Sequence, residues 1–210
     1  MKTPTTRSPR KAKGHGAERR EEILEAALTL FSERGVHAVS TRQIAELAGI
    51  SQPALYAYFA TKDDMADELC VRAFAVLVER MKAARVVGDP TVANFERSLR
   101  VYVDFGIESP NAYRVAFMIE KGPHGHGFDK RDSLPMLAGL DAFAMFRDIV
   151  GEYQAAGLTV LDDPQLATQT LWAGLHGLVS LLIARSEFPW VDREALIDAH
   201  IAMLRRGALK

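Results

Sequence analysis

The sequence predicts an all-α protein of about nine helices, and three observations carry that expectation. Apolar residues recur at helical spacing along most of the chain. Capping and stop residues fall at the ends of those periodic runs. Strand-like alternation of apolar and polar residues is nearly absent. In AERREEILEAALTLFSERG (17–35), Ile23, Ala26, Ala27, Leu30 and Phe31 make one apolar face, acids fill the first turn and Gly35 ends the run. Ser40 with Gln43 three residues later fits a capping box, opening a helix that Gly49 closes. Ser51 caps the next, and Pro53 is tolerated in its first turn, where its missing N–H has no helical acceptor. Thr61 caps a long helix from about Lys62 to Arg85, with Met65, Leu69, Ala73, Val76 and Met81 on its apolar positions. GDP (88–90) precedes a helix near 91–108, and SPN (109–111) precedes a short one near 111–120. KGPHGHGFDKRDS (121–133) reads as a loop. A helix spans about 134–157 and ends at Gly157. DDP (162–164) opens another that reaches about Ser186, FPWVD interrupts it, and a last helix covers about 192–206.

Composition narrows the class. Of 210 residues, 48% are apolar, enough to fill a core, which excludes a disordered chain for most of the length. A lone cysteine, Cys70, excludes an intramolecular disulfide framework. The longest apolar run, GLVSLLIA (177–184), is shorter than the ~18 residues of a membrane span. No apolar segment follows the basic start, so an export signal is not expected; the expectation is a soluble, cytoplasmic protein. The net charge of −1 hides an asymmetry: residues 1–20 hold seven basic groups against Glu18 alone, leaving 19 basic and 26 acidic groups elsewhere. An arm over 1–16, rich in Thr, Ser, Pro and Gly, is expected to be disordered. It serves either as a solubilising leader or as a strand that follows polyphosphate.

The informative stretch is STRQIAELAGISQPALYAYFATK (40–62). Two short helices flank a glycine-containing turn, the pattern of a helix-turn-helix. Ile44 and Leu47 are expected to pack inward, with Ala45 and Ala48 small enough for a second helix to cross closely. Ile50 plugs the turn, and Leu55 and Phe59 anchor the second helix. That leaves Gln52, Pro53, Ala54, Tyr56 and Tyr58 on an acid-free outer face. A glutamine amide can read a base edge, Pro and Ala can touch a thymine methyl, and Tyr hydroxyls can reach phosphate. Lys62 adds a point charge for the backbone. The bland alternative is a pair of ordinary core helices with surface tyrosines.

Residues 18–65 resemble the N-terminal domain of the TetR family of transcriptional repressors. The resemblance rests on Phe31, Gly35, Thr41, Ile44, Ala45, Ala48, Gly49, Leu55, Tyr56, Phe59 and Lys62. It implies base contacts from Arg42, Gln52 and Pro53, with Ala54 close by, and phosphate contacts from Thr41, Tyr56 and Lys62. Tyr58 stands where many members have histidine. The implied division is an arm over 1–16, a DNA-binding domain over 17–63 and an effector-binding and dimerisation domain over 64–210. Trp172, His176 and Gly177 in WAGLHG resemble the Trp–His–Gly signature of one C-terminal class.

A short recognition helix reads few base pairs, so a homodimer on a palindromic operator is expected. Leu175, Leu178, Val179 and Leu182, with Ile197, Ile201 and Leu204 on the last helix, form stripes that suit a dimer interface or the protomer's own core. Tyr102, Phe105, Tyr113, Phe117, Met118, Phe143, Phe146, Trp172 and His176 would line a pocket for a largely apolar small-molecule effector, or else fill an ordinary core. The histidines of HGHG (124–127), with Asp129 and Asp132, lack metal-ligand spacing, so no metal is expected. No nucleophile–base pairing or phosphate-cradling loop appears either, so neither catalysis nor a cofactor is expected. The expectation is an effector-released repressor, the alternative a DNA-binding organiser without an effector.

Overall fold

The computed structural model describes residues 16–118 and 133–210. The basic arm before residue 16 and the HGHG loop, with the metal question attached to it, lie outside the described residues. Within them the chain forms nine α-helices and one π turn, and its β pairing is an isolated bridge between Thr159 and Leu209.

Helix α1 (Gly16–Ala38) buries Ile23, Ala26, Ala27, Leu30 and Phe31, the expected face. It breaks at Gly35, whose φ of 76° is one a side chain would resist. Helix α2 (Thr41–Leu47) opens with the capping box: the Gln43 N–H donates to Ser40 Oγ at 3.3 Å, and the Ser40 N–H to Gln43 Oε1 at 2.9 Å. It ends at Gly49 (φ 67°), where the N–H groups of Gly49 and Ile50 donate to Glu46 and Ala45, closing the glycine-type helix stop. Helix α3 (Gln52–Leu55) is a single capped turn, and Leu55 and Phe59 anchor it in the core.

Leu47 does not pack inward as expected; it is 54% exposed. At about 100° per residue, the buried arc centres between Ile44 and Ala45, and Ala48 rather than Leu47 falls on it.

Helix α4 (Lys62–Ala84) starts from a Thr61–Asp64 capping box. It packs on α1, on α5 (Val92–Glu108) and on α7 (Leu134–Ala155). Arg20 of α1 pairs with Glu68 of α4 and lies 4.4 Å over the Phe59 ring. Arg72 reaches Glu68 at 2.6 Å and also pairs with Glu21. Facing charges thus hold both carboxylates below the ordinary glutamate range, chiefly through hydrogen bonds from Arg20 to Glu68 and from Arg72 to Glu21. Arg20 is therefore a clamp between helices, and Arg19 is paired with Glu22. Two of the seven charges counted toward the basic start belong to the folded body.

The expected single helix near 111–120 is instead α6 (Pro110–Tyr113) passing into a π turn (Arg114–Met118). Helices α8 (Pro164–Ala184) and α9 (Arg193–Ala208) complete the bundle. Gly106 of α5 sits so close to α8 that an added Cβ would clash with Val179. Helix α8 carries no Asp, Glu, Lys or Arg across its 21 residues. Its length and composition would suit a membrane span, a feature that counting unbroken apolar runs misses. In the fold it is a core helix, burying eight residues.

Candidate functional site

The polar ridge of the helix-turn-helix is built before any partner arrives. Gln52 Nε2 donates to Thr41 Oγ1 at 3.1 Å and to Tyr56 Oη at 3.4 Å, and Thr41 Oγ1 lies 3.1 Å from Tyr56 Oη. If Thr41 donates to Tyr56, every proton in the triangle is used but one: the phenolic O–H is left to point away as a donor. Those two donors on its oxygen hold the Tyr56 hydroxyl below the ordinary tyrosine range, Thr41 contributing most. Arg42, Pro53 and Ala54 are exposed beside the triangle, and Tyr56 is 49% exposed. Tyr58 is half-buried against the core, so less of it is available.

Lys62 is differently employed from the sequence expectation. Its Nζ donates to the carbonyls of Val36 at 2.8 Å, His37 at 3.1 Å and Val39 at 2.9 Å. An ammonium has three N–H groups, and all three are engaged in closing the end of α1. It ties α1 to α4 and has no donor left over for a phosphate.

In the other half of the molecule a cavity of about 780 Å³ opens between α4, α5, α7 and α8. Six of the nine expected residues line it: Tyr102, Phe117, Phe143, Phe146, Trp172 and His176. Three do not. Phe105 is buried in the core under Arg80, and Tyr113 is fully buried one layer behind the wall. Met118 instead borders a groove of about 410 Å³ against Gly35 and His37 at the end of α1. Consecutive residues of the π turn, Phe117 and Met118, therefore face the cavity and α1. Sequence reading missed the contribution of α4 (Phe74, Leu77, Met81) and of α7 (Met136, Leu140). Their spacing of three, four and four residues along one helix face was the available signal.

Behind the aromatic wall runs a hydrogen-bonded chain. Trp172 Nε1 donates to Tyr102 Oη at 3.1 Å, Tyr102 Oη lies 2.9 Å from Tyr113 Oη, and Tyr113 Oη lies 2.8 Å from His176 Nδ1. Burial pushes the Tyr102 hydroxyl up to about 12 and Tyr113 further in the same direction. Burial also lowers His176, favouring the neutral imidazole.

The sequence description "Bacterial regulatory proteins, tetR family" matches residues 23–69, and "Tetracyclin repressor-like, C-terminal domain" matches 95–204, more than half of the chain. The chain belongs to the TetR family. Similar proteins include the nucleoid occlusion factor SlmA of Actinobacillus pleuropneumoniae serotype 5b (strain L20), 29% identical over 116 residues, 55% of this chain and 56% of SlmA. The HTH-type transcriptional repressor KstR2 of Mycobacterium tuberculosis (strain CDC 1551 / Oshkosh) is 48% identical over 56 residues, 27% of this chain and 28% of KstR2. The chain thus spans just over half the length of the occlusion factor and little over a quarter of KstR2. The solved structure of the ketosteroid transcriptional regulator KstR2 of M. tuberculosis superposes with a TM-score of 0.71 at 22% identity, covering 95% of this chain and 97% of that one. A SmeT–triclosan complex gives 0.70 at 17% identity, covering 92% of each chain. At these identities the likeness is one of fold. TetR-family proteins are DNA-binding transcription regulators rather than enzymes, and they act as dimers.

Within this TetR-family chain, the residues expected at a dimer seam are mostly spent on the protomer itself. Leu175, Leu178, Val179, Leu182, Ile197 and Ile201 are buried, and Leu204 is half-buried against Gly174. Their stripes point at α5 and at each other because those sides of the two helices close the core. The uncharged outer side of α8 carries Leu166, Thr170, Gly177, Leu181 and Ala184, at steps of four, seven, four and three residues. On α9 the outer side carries Ala195, Ala199 and Met203. Gly177 has open space where a Cβ would stand, and Gly174 is the glycine that receives Leu204.

Proposed function

We propose that the chain is a ligand-responsive repressor that binds a palindromic operator as a homodimer and is released by a small, largely apolar effector. The observation that carries this reading is α4, which serves both ends. Lys62 fastens its start to the end of α1, on which α2 packs, and Phe74, Leu77 and Met81 wall the cavity. Twelve residues separate Lys62 from Phe74, about 18 Å along a helix. An occupant that binds better to one tilt of α4 shifts the spacing of two recognition helices, because unequal affinity for two conformers moves a population. We divide the chain into a DNA-binding part over 17–63 and an effector part over 64–210; the matched ranges, 23–69 and 95–204, follow in the same order. We read WAGLHG as the Trp–His–Gly class signature, with Trp172 and His176 sharing the hydrogen-bonded chain behind the cavity.

On DNA, Arg42 is the exposed cation beside the ridge, and Gln52, its amide N–H groups committed inward, offers Oε1 to a base amino group. Tyr56 donates its free O–H to a phosphate, and Thr41 holds Tyr56 in place. Pro53 and Ala54 meet a thymine methyl. The outer stripes of α8 and α9 are the self-complementary seam, since an uncharged, half-exposed helix face needs a cover and a two-fold supplies the same face.

The test is selection of bound duplexes from a random pool with the purified chain. Inverted repeats with half-sites about 34–36 Å apart are expected, and Arg42→Ala should lose preference at one symmetric position, about 1–3 kcal/mol per site. Enrichment of no sequence, or of asymmetric sites only, sinks the reading. A second reading, a DNA-binding organiser without an effector, is favoured by the SlmA similarity over 116 residues. It predicts that no cavity ligand changes operator affinity.

A further inference from the structure

We infer that the cavity selects a neutral molecule that presents a hydrogen-bond acceptor, such as a ketone oxygen, to Nε2 of His176; this rests on the effector-cavity reading above. Two observations combine. Among the described residues, none that lines it is Asp, Glu, Lys or Arg. An ionised group carried inside would lose its water and meet no countercharge. The polar side chains at the wall are Ser98, Tyr102, Gln165, Gln169, Trp172 and His176, and both glutamines are solvent-exposed.

The second observation is the polarity of the buried chain. An indole N–H only donates, so Tyr102 accepts from Trp172. If His176 donated from Nδ1 to Tyr113, the O–H of either Tyr102 (5% exposed) or Tyr113 (0%) would be left with no protein acceptor among the described residues, a costly outcome for side chains so deeply placed. In the other direction Trp172, Tyr102 and Tyr113 each donate onward, and His176 Nδ1 is the terminal acceptor. A neutral imidazole accepting at Nδ1 carries its hydrogen on Nε2. Nδ1 is turned to Tyr113, which is not in the lining, so the rest of the ring is what meets the cavity. Nε2 has no protein partner among the described residues and is not sealed from solvent. The chain therefore fixes an outward donor at His176 on a wall that, among the described residues, is aromatic and uncharged. Tyr113, absent from the wall, is a positioning residue acting through His176.

Three matched fluorescent probes test this with the intact protein: a 2-dimethylaminonaphthalene bearing at its 6 position a propionyl, a propyl or a carboxylate group, titrated at pH 7.5. The ketone should bind roughly tenfold tighter than the propyl compound, the worth of one net hydrogen bond, and the carboxylate weakest. His176→Phe should erase the ketone's advantage while the propyl compound binds as before, His176→Gln should restore part of it, and Tyr113→Phe should reduce it. In the ligand-free protein, nitrogen-15 NMR of His176 should show Nε2 protonated and Nδ1 bare. Equal affinity for ketone and propyl, a carboxylate that matches the ketone, or an Nδ1–H tautomer overturns the inference while leaving a cavity for apolar ligands. If no probe binds at all, the effector reading falls and takes this inference with it.

Discussion

Replacing Lys62 by Met keeps the aliphatic stem and removes the ammonium that closes α1. Three donors are lost, those to Val36 and Val39 partly buried and that to His37 exposed. A hydrogen bond to a charged group is worth about 1.5–3 kcal/mol. The exposed carbonyl can turn to water, and the two buried ones are not independent, so the loss should be about 2–4 kcal/mol. For a chain of this size each kcal/mol moves Tm by about 2–4 °C, so a fall of roughly 5–15 °C is expected by calorimetry. Operator binding, measured by anisotropy across a salt series below that temperature, should keep its slope. A phosphate contact would behave the opposite way: with one Lys62 in each protomer, the slope of log K against log salt would flatten by about 1.8 per dimer. An unchanged Tm with that flattened slope refutes the structural role.

Gly177→Glu should leave the protomer's helicity intact, since no atom occupies the place of its Cβ, yet sediment as a monomer that no longer holds its operator. Gly106→Ala forces a methyl against Val179 and should cost about 1–3 kcal/mol in urea unfolding. Glu68 and Glu21 have folded-state pKa values lowered by Arg20 and Arg72, so their contribution is complete above the ordinary glutamate range and disappears as pH falls through the depressed values. Acid unfolding of Glu68→Gln, followed by circular dichroism, should therefore show a shallower loss on the acid side than the parent chain.

Several helix starts were legible because they are written in one or two residues: Ser40 with Gln43, Ser51 and Thr61 accept from a first-turn N–H, and Thr91, Ser133 and Asp163, at or beside breakers in the sequence, do the same. Sequence also named six side chains of the cavity wall, since aromatic residues at helical spacing collect where α5, α7 and α8 converge. It could not tell which side of α8 faces the core, because an uncharged helix offers no polar face to orient it. Nor could it show that 111–118 folds with a π turn, in which Phe117 packs on Tyr113 and on Phe74, a ring far upstream in the sequence. Lys62 was readable as a cation but not as an inward one; its three acceptors lie 23 to 26 residues upstream and meet it only after α1 folds back.

The single-turn α3 has a further consequence. Its four residues, even joined to the seven of α2, fall short of the ~12–15 that an isolated helix needs to persist in water. An excised peptide covering 40–62 should be a random coil with no grip on DNA. The shape that reads a groove is lent to this segment by Ile23, Phe31, Met65 and the Arg20–Glu68 clamp around it. Damage to that scaffolding would silence recognition without touching one residue of the proposed DNA-facing ridge.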